Sequence, residues 1–228
     1  MVIPFHWRQA IVIPIFKHQK PPFLTSSYRP ISLTSCLGKL FERIVIYRWS
    51  WYLASNHFIP HFQAGFRKGR STLDHIISLE SSIKMGFASS LSTCAVLLVI
   101  SKVYDSVWIS GLLAKLARLQ IHGRCLKWLK GFLCDRSFCV RIGNYLLEFR
   151  DLVAGVPQGS ILSPLLFNVM ISDFPNPSPE ITTLLYADDV AIFCHARNSS
   201  SAECISVIPM CKISRCSIWC ETNLEISH

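Results

Sequence analysis

Two adjacent carboxylates interrupt a run of apolar residues late in the sequence. The run is Leu184-Leu185-Tyr186-Ala187-Asp188-Asp189-Val190-Ala191-Ile192-Phe193, and each apolar half has the length of a short buried strand. This pattern predicts a tight hairpin with Asp188 and Asp189 at its tip. A divalent cation beside a phosphate is the commonest reason to place acids there, because carboxylate oxygens are good ligands for Mg²⁺. The alternative is an Asp-Asp turn that caps a hairpin in solvent.

The positive charge of the chain is concentrated in its N-terminal third. The net charge is +9, and residues 1–70 carry ten Lys and Arg against a single acidic residue, Glu42. The remaining residues hold equal numbers of acidic and basic side chains, so they contribute nothing to the net charge. A basic third of this kind is typical of a surface that binds phosphates. A solvated basic face is the alternative.

Composition excludes several classes of protein. Half of the 228 residues are apolar, which predicts a folded chain, and no apolar run approaches the ~18 residues of a membrane span. The first twenty residues lack the pattern of a signal peptide, and ten cysteines then predict a reducing, intracellular compartment, nuclear or cytoplasmic. The spacing of Cys204, Cys211, Cys216 and Cys220 matches no common zinc pattern, so these thiols are expected to be buried hydrophobes.

The first third should contain two strands and a helix. Strands are predicted over 11–16 and 28–33, and Arg29 is held extended by the proline that follows it. A helix is predicted from Leu37 to Trp51, with an apolar stripe that should pack in the core: Leu37, Leu40, Phe41, Ile44, Tyr47 and Trp51.

Two glycine-containing loops precede further helices. The first is Gln63-Ala-Gly-Phe-Arg-Lys-Gly-Arg-Ser-Thr72, whose Ser71 and Asp74 predict a capping box and hence a helix N-terminus suited to phosphate. The second is Gly155-Val-Pro-Gln-Gly-Ser-Ile-Leu-Ser-Pro164, in which small residues would allow close backbone approach by a planar ligand, with Gln158 as a neutral donor. A buried strand is predicted over 94–100, between these two loops.

Four blocks in this order resemble the reverse transcriptase domain of non-LTR (LINE-type, Jockey-like) retrotransposons. They are the two loops above, Tyr28-Arg-Pro-Ile-Ser-Leu33 and Tyr186-Ala-Asp-Asp189. The resemblance implies an α+β fold, with the fingers and palm of a right-hand polymerase and an antiparallel palm sheet backed by helices. The basic fingers would occupy residues 1–90 and the palm 91–228, and the thumb would lie beyond His228.

The resemblance also implies roles for particular residues. Asp188 would bind Mg²⁺ with Asp189 as a supporting carboxylate, and the partners would be an RNA template, a DNA primer and a dNTP. Arg67, Arg70 and Arg29 would hold the triphosphate or template. Gln158 would lie under the nascent base pair, and Tyr104 would pack under the sugar and reject a 2′-hydroxyl. Neither a membrane partner nor a particular oligomeric state is implied.

One position departs from the family pattern. The family carries a metal-binding aspartate five residues before the aromatic gate, and here that residue is Val99. Asp105 lies after the gate and cannot replace it, and Lys102 is a cation. The sequence therefore leaves three hypotheses open: a reverse transcriptase that is weak or inactive, a nucleic-acid binder without catalysis, and the product of a degenerate or truncated element copy that has no function.

Overall fold

A computed structural model describes residues 3–100, 103–174 and 181–197, together with the backbone of 224–227. The chain forms two compact units, one made of Met1–Asn56 with Tyr104–Met170 and the other of His57–Val103 with Ile171–His228. The boundary expected at residue 90 separates functional subdomains rather than compact units, so it stays a prediction. The late cysteine cluster lies outside the described residues, and none of the described cysteines forms a disulfide bond.

The described residues contain five α-helices and nine strands, besides short 3-10 helices at Phe5–Trp7 and Thr25–Ser27. In chain order these are β1 (Gln9–Phe16), β2 (Tyr28–Leu33), α1 (Cys36–Ser55), α2 (Thr72–Ala88), β3 (Ser92–Ile100), α3 (Ile109–Arg118), α4 (Gly123–Leu133), β4 (Arg136–Ile142), β5 (Tyr145–Leu146), β6 (Arg150–Leu152), α5 (Ser163–Met170), β7 (Thr182–Tyr186), β8 (Asp189–Ala196) and β9 (Leu224–Ser227). The strands predicted over 11–16, 28–33 and 94–100 are therefore confirmed.

The first unit combines a mixed sheet with four helices. Its strands lie in the order β2-β1-β4-β5, with β6 also paired to β4. β1 is antiparallel to β2 and parallel to β4. The core contains leucines one helical turn apart, such as Leu112 and Leu116 of α3, which are fully buried together with Leu129 of α4 and Leu166 of α5.

Helix α1 forms as predicted, but the prediction of which face packs in the core is wrong. The backbone N–H of Gly38 donates to Ser35 Oγ at 3.4 Å, which caps the helix start. Five residues of the predicted stripe are exposed: Leu37, Leu40, Ile44, Tyr47 and Trp51. The helix instead buries the face that carries Glu42, Trp49 and Leu53. The spacing of apolar residues defines one face of the helix, but in this structure the residues of another face pack against the rest of the protein.

The second unit holds a four-stranded antiparallel sheet in the order β7-β8-β3-β9. Helix α2 contacts β3. The capping box predicted for α2 is confirmed, since the backbone N–H of Ser71 donates to Asp74 Oδ2 at 2.9 Å. β3 is not buried on both faces as predicted: Leu98 and Ile100 are buried, whereas Leu97 and Val99 are exposed on the other face. The unit thus presents one open sheet face.

The architecture confirms the fold class expected from the sequence, an α+β chain with an antiparallel sheet and helices against it. Among the described residues, no helix has both the length and the apolar character that a bilayer crossing requires.

Candidate functional site

The two adjacent aspartates lie at a tight hairpin between β7 and β8, as predicted. Tyr186 pairs with Asp189, so Ala187 and Asp188 form a two-residue turn. Ala187 has a φ of 55°, in the left-handed region that residues with a Cβ rarely adopt. Glycine is the usual residue there, because a Cβ in the left-handed region costs about 1 kcal/mol or more. Ala187 therefore needs support from its surroundings.

Gln63 supplies that support from a fully buried side chain. Its Oε1 accepts from the backbone N–H of Ala187 at 3.1 Å and from that of Gly65 at 2.7 Å. Backbone bonds between the same segment and β7 add to this, because the N–H of Ala64 donates to the Leu185 carbonyl at 2.8 Å. The loop that begins at Gln63 therefore fixes the turn that carries the aspartates.

Val99 lies directly opposite Asp189 in the antiparallel pairing of β3 with β8. Directly opposite residues of an antiparallel pair project from the same face. This is the open face, and Val99 is 37% exposed on it. The backbone N–H of Ile100 donates to the Asp188 carbonyl at 3.0 Å, which ties the turn to the end of β3. Residue 99 is thus placed where a carboxylate would adjoin the pair of aspartates.

Strand β9 pairs with the other side of β3 and places the backbone of Glu225 in register with Val99. An acidic residue therefore flanks position 99 on each neighbouring strand, Asp189 on β8 and Glu225 on β9. Among the residues that the structure describes, no group of three His, Cys, Asp or Glu side chains is close enough to hold a metal ion. The two carboxylates of the turn suit one Mg²⁺, which usually takes one or two carboxylates and keeps water or phosphate oxygens besides.

The charge state of the turn is set by its surroundings. Partial burial, followed by the neighbouring charge of Asp188, raises the pKa of Asp189. Both causes disfavour the ionised carboxylate, and repulsion by Asp188 is the smaller of the two. A bound cation would favour the ionised form of Asp189.

The raised pKa gives a testable pH dependence. A group whose pKa is raised by folding destabilises the folded state when it is ionised, and that destabilisation disappears as the pH falls through its folded pKa. Without divalent cations, Asp189→Asn is expected to raise the free energy of unfolding near neutral pH by less than about 1 kcal/mol, because solvent screens an exposed carboxylate. Thermal melts in EDTA should show the gain shrinking at acid pH, whereas Glu148→Gln at an exposed position should show no gain at either pH.

Arg67 and Arg70, in the loop that begins at Gln63, are close enough for their charges to interact. Burial and the nearby charge of Arg70 lower the pKa of Arg67. One guanidinium nitrogen of Arg67, Nη1, donates to the carbonyls of Pro60 at 2.9 Å and Gln63 at 3.1 Å. Arg67 therefore braces the loop that fixes the aspartate turn, and the roles of Arg67 and Arg70 in holding a triphosphate stay predictions.

The remaining predicted site residues lie in the first unit. The carbonyl of Tyr104 accepts from the backbone N–H of Val156 at 2.7 Å, and its ring lies 6.1 Å from that of Phe167. The backbone carbonyl of Gln158 accepts from the N–H of Ser32 in β2 at 2.6 Å. The structure therefore brings Tyr104 and the Gln158 loop together and joins that loop to β2, the strand that bears the exposed Arg29.

The glycine next to Gln158 is required by the protein's own backbone. Gly159 has a φ of +125°, and a Cβ at this position would lie 2.4 Å from the carbonyl oxygen of Ser32. The sequence predicted that small residues here admit a planar ligand. The space beside Gly159 is instead occupied by the Ser32 carbonyl oxygen of strand β2. This glycine therefore lets the loop pack against the strand.

A buried carboxylate on α1 holds the other end of the same loop. Glu42 is 1% exposed, and its Oε2 accepts from Ser160 Oγ at 2.5 Å and from the backbone N–H of Leu162 at 3.0 Å. Burial lowers the pKa of the equally buried Arg136 to about 10, and the charge of Glu42 opposes this shift. Glu42 thus stabilises both the approach to α5 and a buried cation.

Glu42→Gln should therefore destabilise the fold. The substitution removes the negative charge from the bonds to Ser160 and Leu162 and leaves Arg136 without an opposing charge, so we expect a loss of ~2 kcal/mol in the free energy of unfolding. Urea denaturation would measure it. Glu80→Gln is the matched control, because Glu80 forms only an exposed ion pair with Lys84 on α2 and should change stability by less than about 0.5 kcal/mol. Equal losses in the two variants would contradict the role of Glu42.

Sequence reasoning missed Gln63 and Glu42 as supports of the two loops. Glu42 carried a signal, since it is the single acidic residue among the first 70. A lone acid in a basic segment commonly has a partner. Gln63 carried none, because its partner Ala187 is distant in sequence and a glutamine before Ala-Gly fits many loops.

The fold and this site define a class of protein. The second unit places an Asp-Asp turn at the end of a four-stranded antiparallel sheet, and the first unit carries the Gln158 loop; these are features of the palm and fingers of a right-hand polymerase fold. Solved structures share this fold. Apo telomerase from Candida tropicalis matches with a TM-score of 0.64 at 12% identity, covering 100% of this chain and 46% of that chain.

The chain belongs to the reverse transcriptase family. The family model described as Reverse transcriptase (RNA-dependent DNA polymerase) matches residues 15–218. The "Probable RNA-directed DNA polymerase from transposon BS" of Drosophila melanogaster is 37% identical over 196 residues, which are 83% of this chain and 22% of that protein. The RNA-directed DNA polymerase from mobile element jockey of the same species is 32% identical over 206 residues, 87% of this chain and 22% of the relative.

The resemblance to Jockey-like non-LTR retrotransposons is therefore confirmed. The chain spans about a fifth of the length of these curated relatives.

Proposed function

We propose that this chain is part of an RNA-directed DNA polymerase that transfers a nucleotide from a dNTP to a primer 3′-hydroxyl, and that Val99 has weakened or abolished this activity. Membership of the reverse transcriptase family supports the reaction. The observation that carries the impairment is the register of β3 with β8, in which Val99 is the direct partner of Asp189. An apolar side chain stands where a carboxylate would complete the acidic group.

Asp188 and Asp189 are the residues that would hold Mg²⁺. When bound, the cation neutralises charge on the phosphates and orients the reacting groups. The chain's own contribution is to hold both carboxylates on a turn fixed by Gln63 and by the backbone bond from Ile100. Two carboxylates would suffice for one ion, whereas holding a second ion would require a further carboxylate, which Val99 does not supply.

The other proposed roles concern the substrates. Arg67 and Arg70 would attract the triphosphate, because paired guanidinium charges repel each other and an anion relieves that repulsion. Arg29 would contact phosphate of the RNA template. Tyr104 and Gln158, which lie on adjoining segments, would contact the sugar and the nascent base pair.

Primer extension tests this function. The purified chain and its Val99→Asp variant would be given an RNA template, a DNA primer, dNTPs and Mg²⁺. Nucleotide incorporation by neither protein would contradict the proposal, and incorporation that persists in EDTA would contradict the role of the metal.

A nucleic-acid binder without catalysis is the second candidate. The basic first third favours it, because phosphate attraction does not require the residue that is missing at position 99.

Binding should then depend steeply on salt. Counterion release predicts that affinity for a template-primer duplex falls by ~10-fold or more between 50 and 200 mM salt. Fluorescence anisotropy across that range measures the slope. Arg70→Gln should reduce the magnitude of the slope of log affinity against log salt concentration by about one. Arg124→Gln on α4, outside the basic third, is the matched control and should leave that slope unchanged. Affinity that does not respond to salt would count against a phosphate-binding surface.

A further inference from the structure

The outer face of α1 carries a regular apolar stripe, which we call the α1 seam: Leu37, Leu40, Ile44, Tyr47 and Trp51. Each of these side chains is between 54 and 82% exposed. Their spacing alternates between three and four residues, which is the spacing of the a and d positions of a coiled coil. Clustered apolar side chains of this size on a surface commonly mark a binding site.

The orientation of α1 shows that the seam is not a misplaced core. In the same heptad numbering, Glu42 and Trp49 occupy f positions, opposite the seam, and they are 1% and 8% exposed. In an ordinary coiled coil the f position faces water. Here α1 packs on the first unit by its f side and presents its a and d positions outward, so the seam is available to another helix.

Charge decides which helix fits. Arg43 occupies the g position beside the seam and Arg48 the e position, and both are exposed. In a parallel pair of identical helices Arg43 would face Arg48, and in an antiparallel pair g positions meet g positions and e positions meet e positions, none of which is acidic in α1. A second copy of this chain would therefore offer these arginines like charges or uncharged side chains, whereas acidic residues at the e and g positions of a partner would attract them.

Nucleic acid is the other ligand that aromatic and arginine side chains attract. Stacking of bases requires ring faces, and the seam offers these only at Tyr47 and Trp51. Leu37, Leu40 and Ile44 have neither a ring nor a hydrogen-bonding group. An apolar helix surface covers all five positions, so the geometry favours a protein helix.

We propose that the α1 seam docks an amphipathic partner helix with apolar a and d positions and acidic residues at its e and g positions. The α1 seam contains none of the residues proposed to hold Mg²⁺ or the substrates, so the proposal holds whether or not the chain polymerises nucleotides.

Two synthetic peptides of three heptads test the proposal against the full chain. Both carry Leu at a and d, and they differ only in having Glu or Lys at e and g. Fluorescence anisotropy at low salt should show the Glu peptide binding about tenfold or more tightly than the Lys peptide, with the difference declining as salt is added. Equal affinity for the two peptides would overturn the proposal.

Matched variants locate the binding. Ile44→Glu should lower the affinity of the chain for the Glu peptide about tenfold or more. Ile77→Glu, at a similarly exposed position of α2, should leave that affinity unchanged. The double variant Arg43→Glu with Arg48→Glu should reverse the preference and bind the Lys peptide. An unchanged preference in the double variant would overturn the proposal even if Ile44→Glu failed to fold.

A second copy of the chain and an RNA strand, the two other ligands considered for the α1 seam, would give different experimental results. Sedimentation that shows a dimer of the chain, dissociated by Ile44→Glu, would replace the partner helix with a second copy. Displacement of the Glu peptide by an oligouridine, prevented by Trp51→Ala, would replace it with RNA.

Discussion

Val99→Asp is expected to raise Mg²⁺-dependent nucleotide incorporation by about a thousandfold or more, because a third metal-binding carboxylate would contribute several kcal/mol and each 1.36 kcal/mol is tenfold in rate. The substitution adds the acid directly opposite Asp189, on the open face of the sheet. Val99 is 37% exposed, so the new carboxylate can remain hydrated without bound metal. Primer extension on an RNA template, at saturating dNTP, measures the gain.

Leu97→Asp is the matched control. Leu97 lies two residues earlier on the same strand and on the same open face, and it is 55% exposed. Its partner is Ala191 rather than an aspartate, so a carboxylate here would not join the acidic turn. A gain in both variants would show that added charge alone is responsible. Adding Asp188→Asn to Val99→Asp should return incorporation to background, because the metal would again lack a ligand.

A binding readout separates failure to fold from failure to catalyse. Three carboxylates at one point repel each other, so Val99→Asp should melt at a lower temperature than the wild type in EDTA and gain more from added Mg²⁺. A variant that folds, gains stability from Mg²⁺ and still incorporates no nucleotide would show that residue 99 is not the decisive loss.

Glu225 is an alternative source of a third carboxylate in the wild-type chain. Its backbone pairs with Val99 from the side opposite to Asp189, so the missing acid has an acidic neighbour in register. If a carboxylate from β9 replaced the lost one, the wild type would incorporate nucleotide at a rate that Glu225→Gln abolishes. The expected result is that Glu225→Gln leaves the activity of Val99→Asp within about threefold, since a complete acidic group needs no fourth member.

The hairpin and α2 were readable from the sequence because their signals are local. Continuous apolar runs on both sides of Asp188 and Asp189 specify two short strands and a tight connection, and the Ser71 and Asp74 pair specifies a helix start. The position of Val99 opposite the aspartates was reached only through the family resemblance. No local pattern states which strands pair, and β3 and β8 are far apart in the chain.

The exposed side of α1 shows why periodicity is an incomplete guide. A stripe of Leu37, Leu40 and Ile44 specifies an apolar helix face, but the free energy of burying it is gained only where another element is available. The first unit packs against the opposite face, where Glu42 meets Ser160 and Leu162. The choice between the faces depends on contacts with residues more than a hundred positions away, which sequence spacing does not contain.

Gly65→Ala is expected to disrupt the aspartate turn without altering an acid. Gly65 is buried, and a Cβ at this position would lie 2.1 Å from the backbone nitrogen of Ala187 and 2.8 Å from its Cα. Backbone atoms cannot move aside as a flexible side chain can. Either the turn shifts or the Gln63 loop detaches, and we expect a loss of about 3 kcal/mol or more in the free energy of unfolding.

The same change should reduce catalysis wherever it can be measured. In the Val99→Asp background, Gly65→Ala should lower incorporation by about a hundredfold, because displacement of a positioned group by 1 Å is enough for such a loss. Gly69→Ala is the matched control in the same loop: Gly69 has a φ of +76° and nothing within 4 Å of its Cβ position, so only the backbone penalty of ~1 kcal/mol applies. Similar losses from both substitutions would show that loop flexibility, rather than contact with Ala187, holds the aspartates in place.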